Sequence, residues 1–278
     1  VPGSASHGTY SATLVVRNSI TGCIGNNHNI TITINPIPDV TLGPNPTTCS
    51  GTDTSLPYLA ISGGADLYTI NFDAVAEAEG FVDVGATALS TGSIAIAVPF
   101  ASAGIYNATF TPINSVNGCS GSPLAFTITV TGNPTVNLGA NPTVCSGSTI
   151  ANLSYSATTS SPTQYSIDFD ATAEAAGFLD VVDAALPPSP IVITIPGAAA
   201  AGVYNALLSV RNTTSTCVSG GTPITVTVVA NPGITLGANP SVCPGTTTAN
   251  LVYISTTGSP DEFDLDFDAA AEAGGFND

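Results

Sequence analysis

The stretch Val144–Thr159, VCSGSTIANLSYSATT, recurs as VCPGTTTANLVYISTT from Val242 and, more loosely, as TCSGTDTSLPYLAISG from Thr48. Two further blocks travel with it. IDFDATAEAAGFLDV from Ile167 returns as INFDAVAEAEGFVDV from Ile70 and as LDFDAAAEAGGFND from Leu265. GVYNALLSVRNTTSTC from Gly202 echoes GTYSATLVVRNSITGC from Gly8 and GIYNATFTPINSVNGC from Gly104. Self-similarity at a fixed period means that one supersecondary unit is copied along the chain, each copy solving its own burial problem.

The cysteines set the period. Cys49, Cys145 and Cys243 are spaced 96 and 98 apart, and Cys23, Cys119 and Cys217 repeat the same intervals. A unit of about 97 residues matches the ~100 residues of an immunoglobulin-like sandwich. The expected layout is the C-terminal part of a repeat over 1–35, complete repeats over 36–132 and 133–230, and the N-terminal part of a repeat over 231–278. A chain phased in this way reads as a window on a longer array.

Within a unit the pattern is mostly β. PIVITIP (Pro190–Pro196), VYNALLSVRN (Val203–Asn212) and PITVTVV (Pro223–Val229) alternate β-branched with small or polar residues between Gly, Pro and Asn clusters. A Gly-x-Tyr before a long alternating strand, then a Cys-bearing turn and a last strand, predicts a hairpin of the sandwich. Asn-Pro pairs at 35–36, 133–134 and 231–232 end each last strand. One element departs from this. FDATAEAAGF is Ala- and Glu-rich, with Asp170 placed to cap a helix and Gly177 placed to stop it. A helix of about two turns is expected there, recurring at Asp73–Gly80 and Asp268–Gly275. The predicted fold is all-β, tandem immunoglobulin-like or PKD-like β-sandwich modules, each with one short inserted helix.

Composition narrows the function. Hydrophobic residues make up 43% of the chain, enough for packed cores, but charged residues only 8%. There is no Lys; Arg17 and Arg211 face 19 carboxylates, for a net charge of −17. A nucleic-acid surface is excluded, because no cations are present to displace counterions from phosphate. Docking on anionic lipid is disfavoured for the same reason. No apolar run approaches the ~20 residues that span a bilayer, so no direct membrane insertion is expected of this segment.

A module that opens with xCSG, carries an aromatic-x-x-aspartate strand, then GxY, then GC and an alternating last strand resembles the PKD-like and Ig-like repeats of Bacteroidota surface proteins. It is similar in particular to the repeat region of giant gliding adhesins of the SprB type, exported by type IX secretion. The usual WDFGDG signature of PKD domains is reduced here to IDFDA, so their binding properties are not implied. The resemblance implies an extracellular, cell-surface location and a structural segment of a very large adhesin. Its partners would be neighbouring repeats of the same chain and other copies in a fibre. The alternative is a calcium-dependent or polysaccharide-binding module.

Two cysteines per unit at fixed phase read as structural disulfides of an oxidising compartment, since no CxxC or HxxxH spacing favours a metal. Pairing within each unit gives Cys49–Cys119 and Cys145–Cys217, with Cys23 and Cys243 bonded outside the segment. That arrangement makes each module self-contained and stabilises it by about 4 kcal/mol in the chain-entropy account. The alternative, Cys23–Cys49, Cys119–Cys145 and Cys217–Cys243, would clamp neighbouring modules.

Oxygen-bearing side chains also recur in phase: Asn71, Asp73, Glu77 and Asp83; Asp168, Asp170, Glu174 and Asp180; Asp266, Asp268, Glu272 and Asp278. Two residues apart on a strand, the first two share a face. With Glu one turn into the helix, the set forms a candidate calcium site of hard oxygen ligands. The competing reading is a helix cap plus solvated carboxylates, with no cofactor at all. A glycosidase pair would need an aromatic platform, and the chain has no Trp. His7 and His28 have no counterparts in the other copies, so a His-based triad has no repeated basis. No catalytic residue is assigned and no enzyme activity is expected.

Overall fold

The GxY–GC block folds as a hairpin at its first occurrence, where β1 (Gly8–Arg17) pairs antiparallel with β2 (Ile24–Ile34). The computed structural model describes residues 1–277. It divides into two units, Val1–Asn133 with Ser215–Cys217, and Pro134–Thr214 with the residues from Val218 onward.

In the first unit the chain continues through β3 (Asp39–Leu42), β4 (Thr47–Cys49), β5 (Thr54–Ser62) and β6 (Leu67–Phe72). Helix α1 (Ala74–Ala78) follows, then β7 (Val84–Ala88), β8 (Ser93–Ile96), β9 (Gly104–Ile113) and β10 (Leu124–Thr131). One sheet has the order β3-β5-β8 and the other β4-β10-β9-β6-β7. Only the β4–β10 pair is parallel within these sheets; β4 lies along the last residues of β10, Thr47 opposite Thr129 and Cys49 opposite Thr131. A single apolar cluster is shared by both sheets. It takes Val40, Leu56, Ile94 and Ile96 from one, and Ile70, Phe110, Ile128 and Val130 from the other. Two sheets closed over one core make a β-sandwich.

The second unit repeats this arrangement through β11 (Thr135–Leu138), β12 (Thr143–Cys145), β13 (Ile150–Leu153), β14 (Tyr155–Thr159) and β15 (Gln164–Phe169). Then come α2 (Ala171–Ala175), β16 (Val181–Ala185), β17 (Ile191–Thr194), β18 (Gly202–Arg211) and β19 (Thr222–Val229). The five-stranded order is β12-β19-β18-β15-β16, and the opposing strands pair as β11-β14 and β13-β17. Its core holds Leu153, Ile167, Phe178, Ile191, Leu208 and Val226. The unit also contains β20 (Gly233–Leu236) paired with β21 (Tyr253–Thr257), and α3 (Ala269–Ala273).

Period-two alternation explains which residues go inside. In β9, Tyr106, Ala108 and Phe110 are buried while Ile105 and Asn107 face out; in β18, Tyr204, Ala206 and Leu208 are buried while Asn205 and Leu207 face out. The corresponding residues of β1, Tyr10 and Leu14, are exposed, because that hairpin forms a two-stranded sheet of its own.

A tyrosine fixes the entry to the hairpin in all three copies. The hydroxyls of Tyr10, Tyr106 and Tyr204 donate to the main-chain oxygens of Ser6, Ser102 and Ala200, at 2.9, 2.6 and 2.8 Å. Each bond spans four residues backwards, the arrangement called a tyrosine corner in sandwich domains.

The helices form where the sequence places them, but each has five residues rather than two full turns. The reason is the glycine. Gly177 adopts φ +96°, a left-handed conformation that ends the helix after Ala176. Its N–H donates to Glu174 O and the next N–H, of Phe178, donates back to Ala173 O, the paired closure of a Schellman motif. Gly80 and Gly275 close their helices in the same way, at φ +99° and +97°. The closure turns Phe178 into the core, its ring 5.0 Å from Phe169 and 4.6 Å from Tyr204 between centroids. Phe81 stands between Phe72 and Tyr106 in the same manner. Ala76 and Ala173 are fully buried beneath the helices, where a larger side chain would displace the packed sheet.

Candidate functional site

The recurrent carboxylates cluster around the helix N-terminus, and their partners are N–H groups. Asp73 Oδ1 accepts from the Ala76 N–H at 2.8 Å, and its Oδ2 accepts from Asn107 Nδ2 at 2.8 Å. Asp170 does the same with Ala173 and Asn205, at 2.8 and 2.9 Å. The side-chain amide of Asn107 or Asn205, followed by the helix N–H, holds each carboxyl below the usual aspartate range. In the third copy Asp268 caps Ala271 at 2.8 Å.

The last acid of each set does a different task. Asp83 Oδ1 accepts from the Phe72 N–H at 2.8 Å, and its Oδ2 accepts from Asn71 Nδ2 at 2.8 Å. Asp180 accepts from the Phe169 N–H at 2.9 Å. These bonds tie the loop after the helix to the end of the preceding strand. Glu77 and Glu174 lie in the first turn of their helices, where a negative charge complements the exposed N–H groups. Asp168 and Asp266 are exposed. Asp278 lies outside the described residues.

Calcium would have to share these same oxygens. A hard cation needs six to eight oxygens turned toward one point. Here the Asp73 and Asp170 oxygens accept from a helix N–H and an Asn side chain, Asp83 accepts from the Phe72 N–H and the Asn71 side chain, and Asp180 accepts from the Phe169 N–H. Among the described residues no three His, Cys, Asp or Glu side chains converge in a way that would hold a metal ion. The chemistry of the cluster is capping and loop fixation.

Asn107 and Asn205 are the functional partners that the sequence reading missed. Their signal was present in the GxYN string of two copies, where the residue after the core tyrosine must face outward and carries an amide. A shallow groove opens on the same face of each module. It is lined by Asn71, Asp73 and Asn107 in one, and by Asp168, Asp170 and Asn205 in the other. The recurrent aromatics Phe72, Phe169, Phe178, Tyr106 and Tyr204 are buried, so none offers a stacking face for a sugar ring.

The cysteine pairing differs from expectation. Cys49 is bonded to Cys217, with Cα atoms 5.5 Å apart, whereas Cys23, Cys119, Cys145 and Cys243 are free thiols. Neither Cys49–Cys119 nor Cys145–Cys217 forms, and strand geometry explains it. Cys49 lies opposite Thr131, beside the Gly104–Val130 pair at the start of β9, whereas Cys119 adjoins Ser120, which bridges Ile113 at the end of β9. Nine residue steps separate these two levels, roughly 30 Å along an antiparallel strand, against the ~7 Å Cα limit for a disulfide. Cys145 opposite Val229 and Cys217 beside the Arg211–Val218 bridge are separated by the same number of steps along β18.

The strand orders define a protein built of immunoglobulin-like β-sandwich modules. No protein-family model matches the sequence, and no curated protein matches it. Solved structures with a similar arrangement include the FN1–FN3 domains of chicken CNTN1, at 14% identity and a TM-score of 0.36, covering 79% of this chain and 75% of that one. Domains 1–5 of Sidekick-1 follow, at 16% identity and a TM-score of 0.29, over 82% of this chain and 46% of that one. The D00–D0 domain of Intimin is similar at 13% identity and a TM-score of 0.28, over 68% of this chain and 99% of that one. No helix is long and apolar enough to cross a membrane among the described residues.

Proposed function

We propose that this chain is a structural segment of a secreted cell-surface adhesin, its repeats forming the stalk or filament shaft that projects or presents adhesive surface. The observation that carries this reading is where the two complete copies agree. They coincide at buried positions and at loop-fixing bonds: Tyr68, Ile70 and Phe72 with Tyr165, Ile167 and Phe169; Phe81 with Phe178; Asp73–Asn107 with Asp170–Asn205. What is copied is the means of folding one module. Recurrence of the same groups in both copies argues against a single active site. The repeat boundaries at 36, 133 and 231 belong to this proposal, as does the location outside the cell. Export by type IX secretion, surface attachment and gliding rest on the resemblance to SprB-type repeats alone.

The test is mechanical. The reduced chain, held by its two ends and stretched, is expected to unfold in two equal events. About 97 residues at 3.3–3.6 Å each release roughly 320–350 Å per event, less the folded length. A single event for the whole chain, or gradual extension without steps, refutes independent repeat modules. Calcium-dependent or polysaccharide binding, shown by a saturable titration of the purified chain, would replace the shaft reading with that of a binding module.

A further inference from the structure

We infer that successive repeats are joined by a regular series of disulfides, the xCSG cysteine of one copy bonding the GC cysteine of the next. Cys49 belongs to the first phase in the copy over 36–132, and Cys217 to the second phase in the copy over 133–230; their bond closes a span of 168 residues. Both complete copies place their two cysteines at opposite ends of the last hairpin, nine residue steps apart, so neither can close on itself. Each copy therefore has one cysteine that must look forward along the sequence and one that must look back. Cys145 and Cys243 take GC-phase cysteines of the copies that follow theirs, and Cys119 and Cys23 take xCSG-phase cysteines of the copies that precede them. The same assignment excludes the short pairing Cys23–Cys49, because Cys49 is already used.

Bond formation needs an oxidant. A disulfide donor, either a protein disulfide or oxidised glutathione, is attacked by one cysteine thiolate to give a mixed disulfide and one reduced thiol. The second cysteine thiolate then displaces the other donor sulfur. The two cysteine thiols lose two protons and two electrons in total, and the donor disulfide becomes two thiols.

The consequence for a stretched chain is large. Every bond of the series bypasses most of two repeats, and the next bond begins only 26 residues further on, as Cys243 does after Cys217 and Cys145 after Cys119. The covalent path through two repeats then contains 26 residues, at most about 90 Å, instead of nearly 200 residues. Unfolding a module would release almost no length. Such an array is inextensible by covalent design, and reduction converts it into a long extensible chain. The inference rests on strand geometry and one bond, and holds whether or not the protein is an adhesin shaft.

The test is a non-reducing peptide map of the full chain refolded with reduced and oxidised glutathione. A variant of the full chain extended by a second copy of residues 181–230, which completes the last repeat, is mapped beside it. The expected bridges are Cys49–Cys217 in both and, in the extended chain, Cys145 to the added copy of Cys217. Finding Cys49–Cys119, Cys145–Cys217 or Cys23–Cys49, or no bridge at all, overturns the series. Stretching gives a second readout: the oxidised chain should lack both large unfolding events, which return on reduction and in the C49S variant. Large events in the oxidised chain would also overturn it. Because the shaft reading is tested on reduced protein, the two can fail separately.

Discussion

The hydroxyl of Tyr204 donates to the carbonyl oxygen of Ala200, 2.8 Å away, while its ring packs on Phe178 in the core. One side chain thus pins the loop before β18 and fills the sandwich below it. Y204F keeps the packing and leaves the Ala200 carbonyl without this donor. The expected loss is about 1 kcal/mol, in the range of a single neutral hydrogen bond. Denaturant unfolding of the variant against wild type measures it, and a change in the slope of the transition rather than its midpoint would point to another cause.

Gly177 holds φ +96°, and a Cβ added there would meet Pro196 Cβ at 3.4 Å, an ordinary contact. The penalty for G177A is therefore conformational, about 1–2 kcal/mol for a left-handed alanine. D170A removes the cap of the same helix and is expected to destabilise by less than G177A. Thermal melts of the two single variants test this ordering; a neutral G177A would mean that the Schellman closure contributes nothing.

Phe110 is fully buried against Tyr68, with ring centroids 5.4 Å apart, whereas Phe100 is 87% exposed. F110A is expected to destabilise by about 3–5 kcal/mol, from lost burial and the cavity left behind. F100A should stay within about 0.5 kcal/mol. Equal effects of the two substitutions in chemical denaturation would contradict the core described here.

Asp73 and Asp170 have carboxyl pKa values below the ordinary aspartate value of 3.8, chiefly through Asn107 and Asn205 and then the helix N–H groups. For a group depressed in the folded state, stability is fully present above the unfolded pKa and lost as pH falls through the folded one. The two carboxylates should therefore add stability above pH ~4 and lose it progressively below that. D73N and D170N keep a capping oxygen but cannot ionise, so melting temperatures of the variants should converge with wild type as acid is added. A constant difference across pH 2–7 would contradict the assignment.

Calcium should leave the melting temperature unchanged, since the cap and loop carboxylates already accept from N–H donors. A saturable rise on adding calcium to chelator-treated protein would show that the loop reorganises around the ion.

Much of a module was legible before any coordinates. Asp170 and Gly177 announced a capped and terminated helix because those residue types act within one turn, through local bonds and a local φ. The alternation in β18 named its inward residues because strand periodicity is a property of the backbone. Asn205 was harder. It is 35 residues from Asp170, and nothing local says that an outward amide on β18 will arrive beside a cap. The oxygen-rich repeat left a ligand set and a helix cap both open, because spacing along the sequence does not show which donor each oxygen meets.

The sequence by itself determined the period, the strand-rich sandwich character of each unit and the short helix, all of which follow from periodicity and from backbone preferences of Asp, Gly and Pro. Only the tertiary structure decided the disulfide and the duty of the carboxylates. Both depend on distances set by pairing strands far apart in sequence, and the length of β9 alone forbids the within-repeat bond that would make each module self-contained.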